Sequence, residues 1–227
     1  MIYEKVSKSY KMTGIFDARL KCSFGLLVSG PPYAGKTSWT IELLRNADKL
    51  IDKPFDYIVW FYGERNPLVT QLEKDLKGKL NTVHGLPDNL EDYIVPGQRG
   101  LHVYDDLFLE LTNSSRINEL CAYKTQHSDL SWIILMQNLF HNGKSRQTIY
   151  RCAHYLCVFN NALDRSQIYT LAYKLMPGNQ KLFLKIFEKA AVRPYGYMLV
   201  DGHQTTPQEA RFRTDIFGTY QKVFIPQ

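Results

Sequence analysis

"SFGLLVSGPPYAGKTSWTIELLRNA", residues 23–47, sets a short apolar run against a glycine-rich turn and follows it with apolar residues at helical spacing. The run at 23–29, bounded by glycine, predicts a buried strand, and Trp39, Ile41, Leu43 and Leu44 predict a helix over 36–47. Between them Gly30, Pro31, Pro32, Tyr33, Ala34, Gly35, Lys36 and Thr37 match G-x-x-x-x-G-K-S/T, in the strand-to-helix context on which that motif depends. Glycines let backbone N–H groups wrap around phosphate oxygens, and the helix N-terminus adds its dipole. Lys36 is placed to pair with the β- and γ-phosphates of ATP, and Thr37 to ligate Mg²⁺. Gly30 through Ser38 are the expected nucleotide contacts.

Outward from this turn, strand-like and helix-like segments alternate. "FDYIVWFYG" (55–63), "GLHVYDD" (100–106), "SWIILMQN" (131–138), "AHYLCVF" (153–159) and "YGYMLVD" (195–201) read as further strands. Helices are expected over 66–78, roughly 114–126, 164–175 and 180–191. Strands separated by helices predict an α/β fold, a mainly parallel sheet with helices on both faces. At 227 residues and 44% hydrophobic content the chain is expected to be one domain, with its core at about 20–201 and short extensions at both ends.

Composition narrows the setting. No apolar run approaches the roughly 18 residues of a membrane helix. The N-terminal stretch is polar, and the four cysteines contain no C-x-x-C pair, so a reduced, intracellular protein is expected. Cys152, His154 and Cys157 lack a fourth ligand nearby and suggest no zinc site. Residues 141–193 carry nine of the bases and two acids, +7 of the net +6, leaving −1 for the remainder. Such a concentration fits either a solvated helical face or a polyanionic partner such as nucleic acid.

A magnesium-bound triphosphate needs a second acidic anchor. Asp105 and Asp106 end an apolar strand: Asp105 sits where a Walker B carboxylate holds Mg²⁺, and Asp106 where a second carboxylate polarises the attacking water. Gln137, at the polar end of the next strand, has the position of a γ-phosphate sensor. Glu64, closing "WFYGE", reads as a solvated strand end.

The order "GPPYAGKTSW", "FDYIVWFYGE", "GLHVYDDL", "SWIILMQNLFHNGKSRQTI", "AHYLCVFNNALDRSQIYTLA" and "RPYGYMLVD" resembles the FtsK/HerA-type genome-packaging ATPases of double-stranded DNA viruses and of Maverick/Polinton elements. It resembles in particular the compact proteins related to adintovirus and poxvirus packaging ATPases. The resemblance runs from about residue 20 to 218, and "QNLFHNGKSRQT" with "NNALDRSQI" carries it more than the phosphate loop does. It implies a P-loop core of the additional-strand type that assembles into a homo-oligomeric ring, a pentamer or hexamer. Such a ring hydrolyses ATP between subunits and draws double-stranded DNA into a capsid, in contact with capsid protein. It also implies the roles given above for Lys36, Thr37, Asp105, Asp106 and Gln137. Many relatives have Glu where Asp106 stands, and smaller polar residues where Tyr33 and Ala34 stand.

Ring ATPases complete the site with an arginine from the adjacent subunit, because the transition state spreads negative charge over the γ-phosphoryl oxygens. Arg146, Arg151 and Arg165 are candidates, with Arg146 and Arg165 preferred, and Lys144 is a candidate DNA-phosphate contact. Two other classes are compatible with the motifs. One is a P-loop small-molecule kinase, which calls for its acidic strand beside the P-loop strand. The other is a nucleotide-gated DNA-binding scaffold without turnover.

Overall fold

The computed structural model describes residues 3–6, 16–114, 117, 121, 129–140 and 144–226. Ten strands form one sheet: β1 (Tyr3–Val6), β2 (Gly25–Ser29), β3 (Tyr57–Tyr62), β4 (Leu80–His84), β5 (Gly100–Asp105), β6 (Leu130–Met136), β7 (Tyr155–Phe159), β8 (Tyr197–Asp201), β9 (Phe212–Thr214) and β10 (Lys222–Ile225). Their spatial order is β1-β10-β9-β8-β7-β2-β6-β5-β3-β4. From β7 to β4 every neighbouring pair is parallel, and from β7 to β1 every pair is antiparallel.

Helices α1 (Lys36–Arg45), α2 (Ala47–Leu50), α3 (Pro67–Asp75), α4 (Phe108–Asn113), α5 (Arg146–Cys152), α6 (Ser166–Leu175) and α7 (Gln180–Ala190) cover the sheet. The period of two along β2 and β6 divides the core. Leu27 joins Trp132, Ile134 and Met136 on the face packed by α4, α6 and α7. Leu26 and Val28 join Ile133 and Leu135 on the face packed by α1, α2 and α3. Both faces are covered, so the central strands "GLLVS" and "LSWIILM" are buried at every position and almost continuously apolar rather than alternating.

The order of the central strands places the site. β6 lies between β2, which feeds the phosphate loop, and β5, which ends at Asp105. This inserted strand is the additional-strand arrangement, and it separates the acidic strand from the P-loop strand.

Several expectations are corrected. The sheet continues past residue 201: the links from β8 to β9 and from β9 to β10 hold no crossover helix, only a 3-10 turn at Gln208–Ala210, so these strands return antiparallel. Strand β4 was not anticipated; it is an edge strand with only Leu80 buried, so its apolar signal is weak. The strand expected over 153–159 begins only at Tyr155, and Cys152 just before it ends a helix, α5. The helix expected over 114–126 falls largely outside the described residues, and α4 precedes it. Among the described residues no helix is long and apolar enough to cross a membrane.

Candidate active site

Parallel strands deliver their outgoing loops to one edge of the sheet, and ligands of open α/β sheets bind there. The loops after β2, β3, β5 and β6 meet at an open cleft of about 990 Å³. Lys36, Thr37, Asp105, Asp106 and Gln137 all line it. So do Pro32, Tyr33, Gly35 and Ser38, whereas Gly30, Pro31 and Ala34 shape the loop from beneath.

The loop geometry explains its two glycines. Gly35 caps α1 with φ 94°, a left-handed conformation that a side chain strains. At Gly30 a Cβ would lie 2.7 Å from the Phe159 Cβ, so close approach of the loop to β7 excludes any larger residue. Tyr33 also has positive φ, 61°, and is 97% exposed. The bulky residue the motif rarely holds is thus turned out to solvent, and the backbone cradle keeps its shape.

The Lys36 ammonium donates to the carbonyl oxygens of Gly30 and Pro31, both at 2.9 Å, which leaves one of its three donors. Burial pushes its pKa down, against the pull of the Asp106 and Asp105 charges. The Thr37 hydroxyl lies 3.2 Å from Asp105 Oδ2 and 3.5 Å from Oδ1, reaching past the end of β6. Asp105 is 6% exposed; burial, and then the neighbouring Asp106 charge, push its carboxyl up to about 6, while Thr37 and Lys36 pull it down.

Asp106 is exposed and leaves the strand with φ 57°, so two consecutive carboxylates diverge, one inward and one into the cleft. Gly63 abuts this turn: its N–H donates to the Asp105 carbonyl at 3.0 Å, and a Cβ on it would stand 3.1 Å from the Asp106 carbonyl oxygen.

Gln137 is the first residue past β6 and is exposed in the cleft. Its neighbour Asn138 caps the turn, accepting from the Phe140 N–H at 2.8 Å. Gln167, a nearly buried residue of α6, accepts from the Leu139 N–H at 3.0 Å and so anchors the same turn. Sequence reasoning did not name Gln167; a glutamine among the apolar positions of "SQIYTLA" was the available signal.

Arg65, after β3, lines the cleft together with Glu64, and sequence reasoning passed over it because nothing in "GERNP" marks it as more than a loop charge. Arg165 is not among the residues lining the cleft; it caps α6, and its guanidinium lies 2.8 Å from Glu188 on α7. Arg146 opens α5, and its side chain lies outside the described ones. Arg151 and Lys144 are exposed.

Hard cations such as Mg²⁺ take oxygen ligands, and the Thr37 hydroxyl with the Asp105 carboxylate offers two such oxygens side by side beside a phosphate cradle. The residues present therefore fit a magnesium–nucleotide complex.

Neither a family model nor a curated protein matches the sequence. Solved structures do. The genome packaging NTPase B204 of Sulfolobus turreted icosahedral virus 2, in complex with sulfate, matches with TM-score 0.52 and 11% identity over 81% of this chain and 93% of that one. In complex with ATP-γS it matches with TM-score 0.51 and 15% identity over 81% and 94%. The chain has the fold of a viral packaging NTPase. A weaker likeness, TM-score 0.45 and 14% identity, joins 90% of this chain to 37% of Thermomonospora curvata EccC (ATPases 2 and 3) in complex with a signal sequence peptide. The mainly parallel α/β fold expected from the alternation of strands and helices is the fold found.

Proposed function

We propose that this chain is an ATPase that drives double-stranded DNA into a viral or virus-like capsid, working as a ring with hydrolysis at its subunit interfaces. The observation that carries the reading is the meeting of Lys36, Thr37, Asp105, Asp106 and Gln137 in one cleft, at the ends of strands whose order inserts β6 between the P-loop and the acidic strand. The fold shared with B204, itself captured with an ATP analogue, supports it. The position of β6 also weighs against a small-molecule kinase, in which the acidic strand adjoins the P-loop strand.

In this reading the loop N–H groups and Lys36 bind the phosphates, and Thr37 and Asp105 hold Mg²⁺. When bound, the ion neutralises phosphate charge and polarises the γ-phosphoryl group. Asp106 orients the attacking water and accepts its proton, and Gln137 senses the γ-phosphate. The Asp106 turn runs into α4, and the end of α4 is tied to the loop bearing Lys144: the Ser145 N–H donates to the Thr112 carbonyl at 3.0 Å and its hydroxyl to the Ser114 carbonyl at 2.8 Å. Movement at Asp106 thus has a mechanical route to Lys144, proposed as a DNA-phosphate contact, and to Arg146, proposed with Arg165 as an arginine supplied to a neighbouring subunit.

Steady-state ATP hydrolysis with and without duplex DNA, at two salt concentrations and with oligomeric state monitored, tests the proposal. Stimulation by DNA that fades with salt is expected, because phosphate contacts release counterions. A ring-forming preparation whose rate ignores DNA would sink the motor reading.

A further inference from the structure

The phosphate chemistry uses one flank of the cleft, where β5 and β6 end. On the other flank, past β2, the lining is aromatic: Phe159 from β7, Tyr195 from the turn before β8, and Phe217 from the turn after β9. Antiparallel pairing explains how such distant residues meet. Phe159 pairs with Tyr197, so the start of β8 lies at the outgoing end of β7, and Leu199 pairs with Arg213, which returns the end of β9 to the same place.

This flank is a built wall. Tyr197 packs edge-on against Trp39 at 5.6 Å between ring centroids, and Phe217 packs against Trp39 at 5.6 Å. The Tyr197 hydroxyl accepts from the Ile216 N–H at 3.0 Å, and Arg193 pairs with Asp215, clamping the two turns together. Within the wall Tyr195 stands apart. It is 73% exposed and has φ 58°, a conformation unfavourable for a tyrosine, and its turn is closed by Gly196 N–H donating to the Arg193 carbonyl at 2.8 Å. Its ring nevertheless flanks the phosphate loop, with Cδ1 3.4 Å from where a Gly35 Cβ would sit. A large aromatic face held against the loop, yet packed little by the protein itself, has the chemistry of a stacking platform.

We propose that Tyr195 stacks on the base of the nucleotide whose phosphates the loop binds, with Phe217 bordering the base pocket; the inference rests on the nucleotide reading above. Stacking uses the π-face that every base has, so it selects for a nucleobase without choosing sharply between adenine and guanine.

Calorimetric titration of wild type, Tyr195→Ala and Tyr195→Phe with two magnesium-loaded probes, AMP-PNP and inorganic tripolyphosphate, tests this. Tyr195→Ala is expected to raise the Kd for AMP-PNP roughly tenfold and leave that for tripolyphosphate unchanged, while Tyr195→Phe binds both as wild type does. An unchanged AMP-PNP affinity in Tyr195→Ala, or an equal loss for both probes, would overturn the stacking role, the latter by making Tyr195 a support of the phosphate loop. Wild type that binds neither probe would instead remove the nucleotide reading, and the stacking proposal with it.

Discussion

The Thr37 hydroxyl and the Asp105 carboxylate, 68 residues apart in sequence, lie 3.2 Å apart at the mouth of the cleft. Neither residue is on β6, but both depend on it: the strand spaces β2 from β5 so that the first turn of α1 can reach the end of the acidic strand. If this pair holds Mg²⁺, Asp105→Asn should remove the magnesium-dependent part of nucleotide binding. A nucleotide at a hundred times its Kd stabilises by about 2.7 kcal/mol, which for a chain of this size is roughly 5–10 °C in Tm. Thermal melts with AMP-PNP, in Mg²⁺ and in EDTA, should differ in wild type and coincide in Asp105→Asn.

Asp106 and Lys36 line the same cleft and should fail differently. Asp106→Asn keeps the turn and the loop intact, so nucleotide affinity should persist while turnover falls by about a hundredfold or more, the scale of a lost general base. Lys36→Ala should weaken binding itself. Single-turnover hydrolysis alongside equilibrium binding separates the two; equal turnover in wild type and Asp106→Asn would strike that residue from the catalytic set.

His102, in the middle of the acidic strand, predicts how stability depends on pH. Its Nε2–H donates to the Tyr93 carbonyl at 3.0 Å, and the Tyr104 hydroxyl, 3.2 Å away, donates to Nδ1, so the ring is neutral and satisfied. Burial pushes its pKa from 6.5 down to about 4. The unfolded chain therefore takes up this proton near pH 6.5 and the folded chain only near pH 4. The contribution is full above pH 6.5 and is lost as pH falls toward 4, about 3 kcal/mol over the whole window. Asp105, whose carboxyl burial raises to about 6, works in the opposite sense over the same window, and His154, which burial lowers, in the same sense, so the His102 share is read as a difference: in urea unfolding between pH 7.5 and 4.5, wild type should lose stability relative to His102→Gln as pH falls.

Much of this was legible in the sequence because a few residues carry strong local physics. The glycine-rich loop, the apolar run ending in Asp105-Asp106 and the amide at Gln137 each mark a strand end, and parallel strands carry such ends to one edge. What stayed hidden depends on pairing rather than pattern. Tyr195, which the sequence places at the start of a strand over 195–201, and Phe217, which no motif marks, reach the loop only because antiparallel β8 and β9 return them to it. Arg65 has no local signature, and β4 is too exposed to stand out. The partner of Arg165 could not be read either, since Glu188 lies 23 residues away on another helix.

The buried pair Asp201–Arg213 fixes the strands that bring those aromatics back. Arg213 is 1% exposed and Asp201 2%, with Nη2 donating to Oδ2 at 2.5 Å, while Thr206 and the His203 N–H bond to Oδ1. Arg213→Met strands a buried carboxylate and should cost about 3–5 kcal/mol in chemical unfolding. Asp201→Asn added to Arg213→Met removes the orphaned charge but keeps an acceptor for Thr206 and His203, so the double variant should recover more than half of that loss.

Gln167 offers the sharpest separation of positioning from binding. It touches neither Gln137 nor the phosphate loop in the hydrogen-bond network, yet its Oε1 holds the Leu139 N–H and so fixes the turn that begins at Gln137. Gln167→Leu deprives a buried N–H of its acceptor, and the turn should relax toward water. Because Lys36, Thr37 and Asp105 are untouched, the Kd for AMP-PNP should stay within about twofold, while kcat falls roughly tenfold as Gln137 loses its fixed approach to the γ-phosphate. Gln167→Glu retains an acceptor oxygen and should restore most of kcat. A parallel rise in Kd would place the damage in the fold of the cleft, and an unchanged kcat would mean that Gln137 acts without a fixed turn.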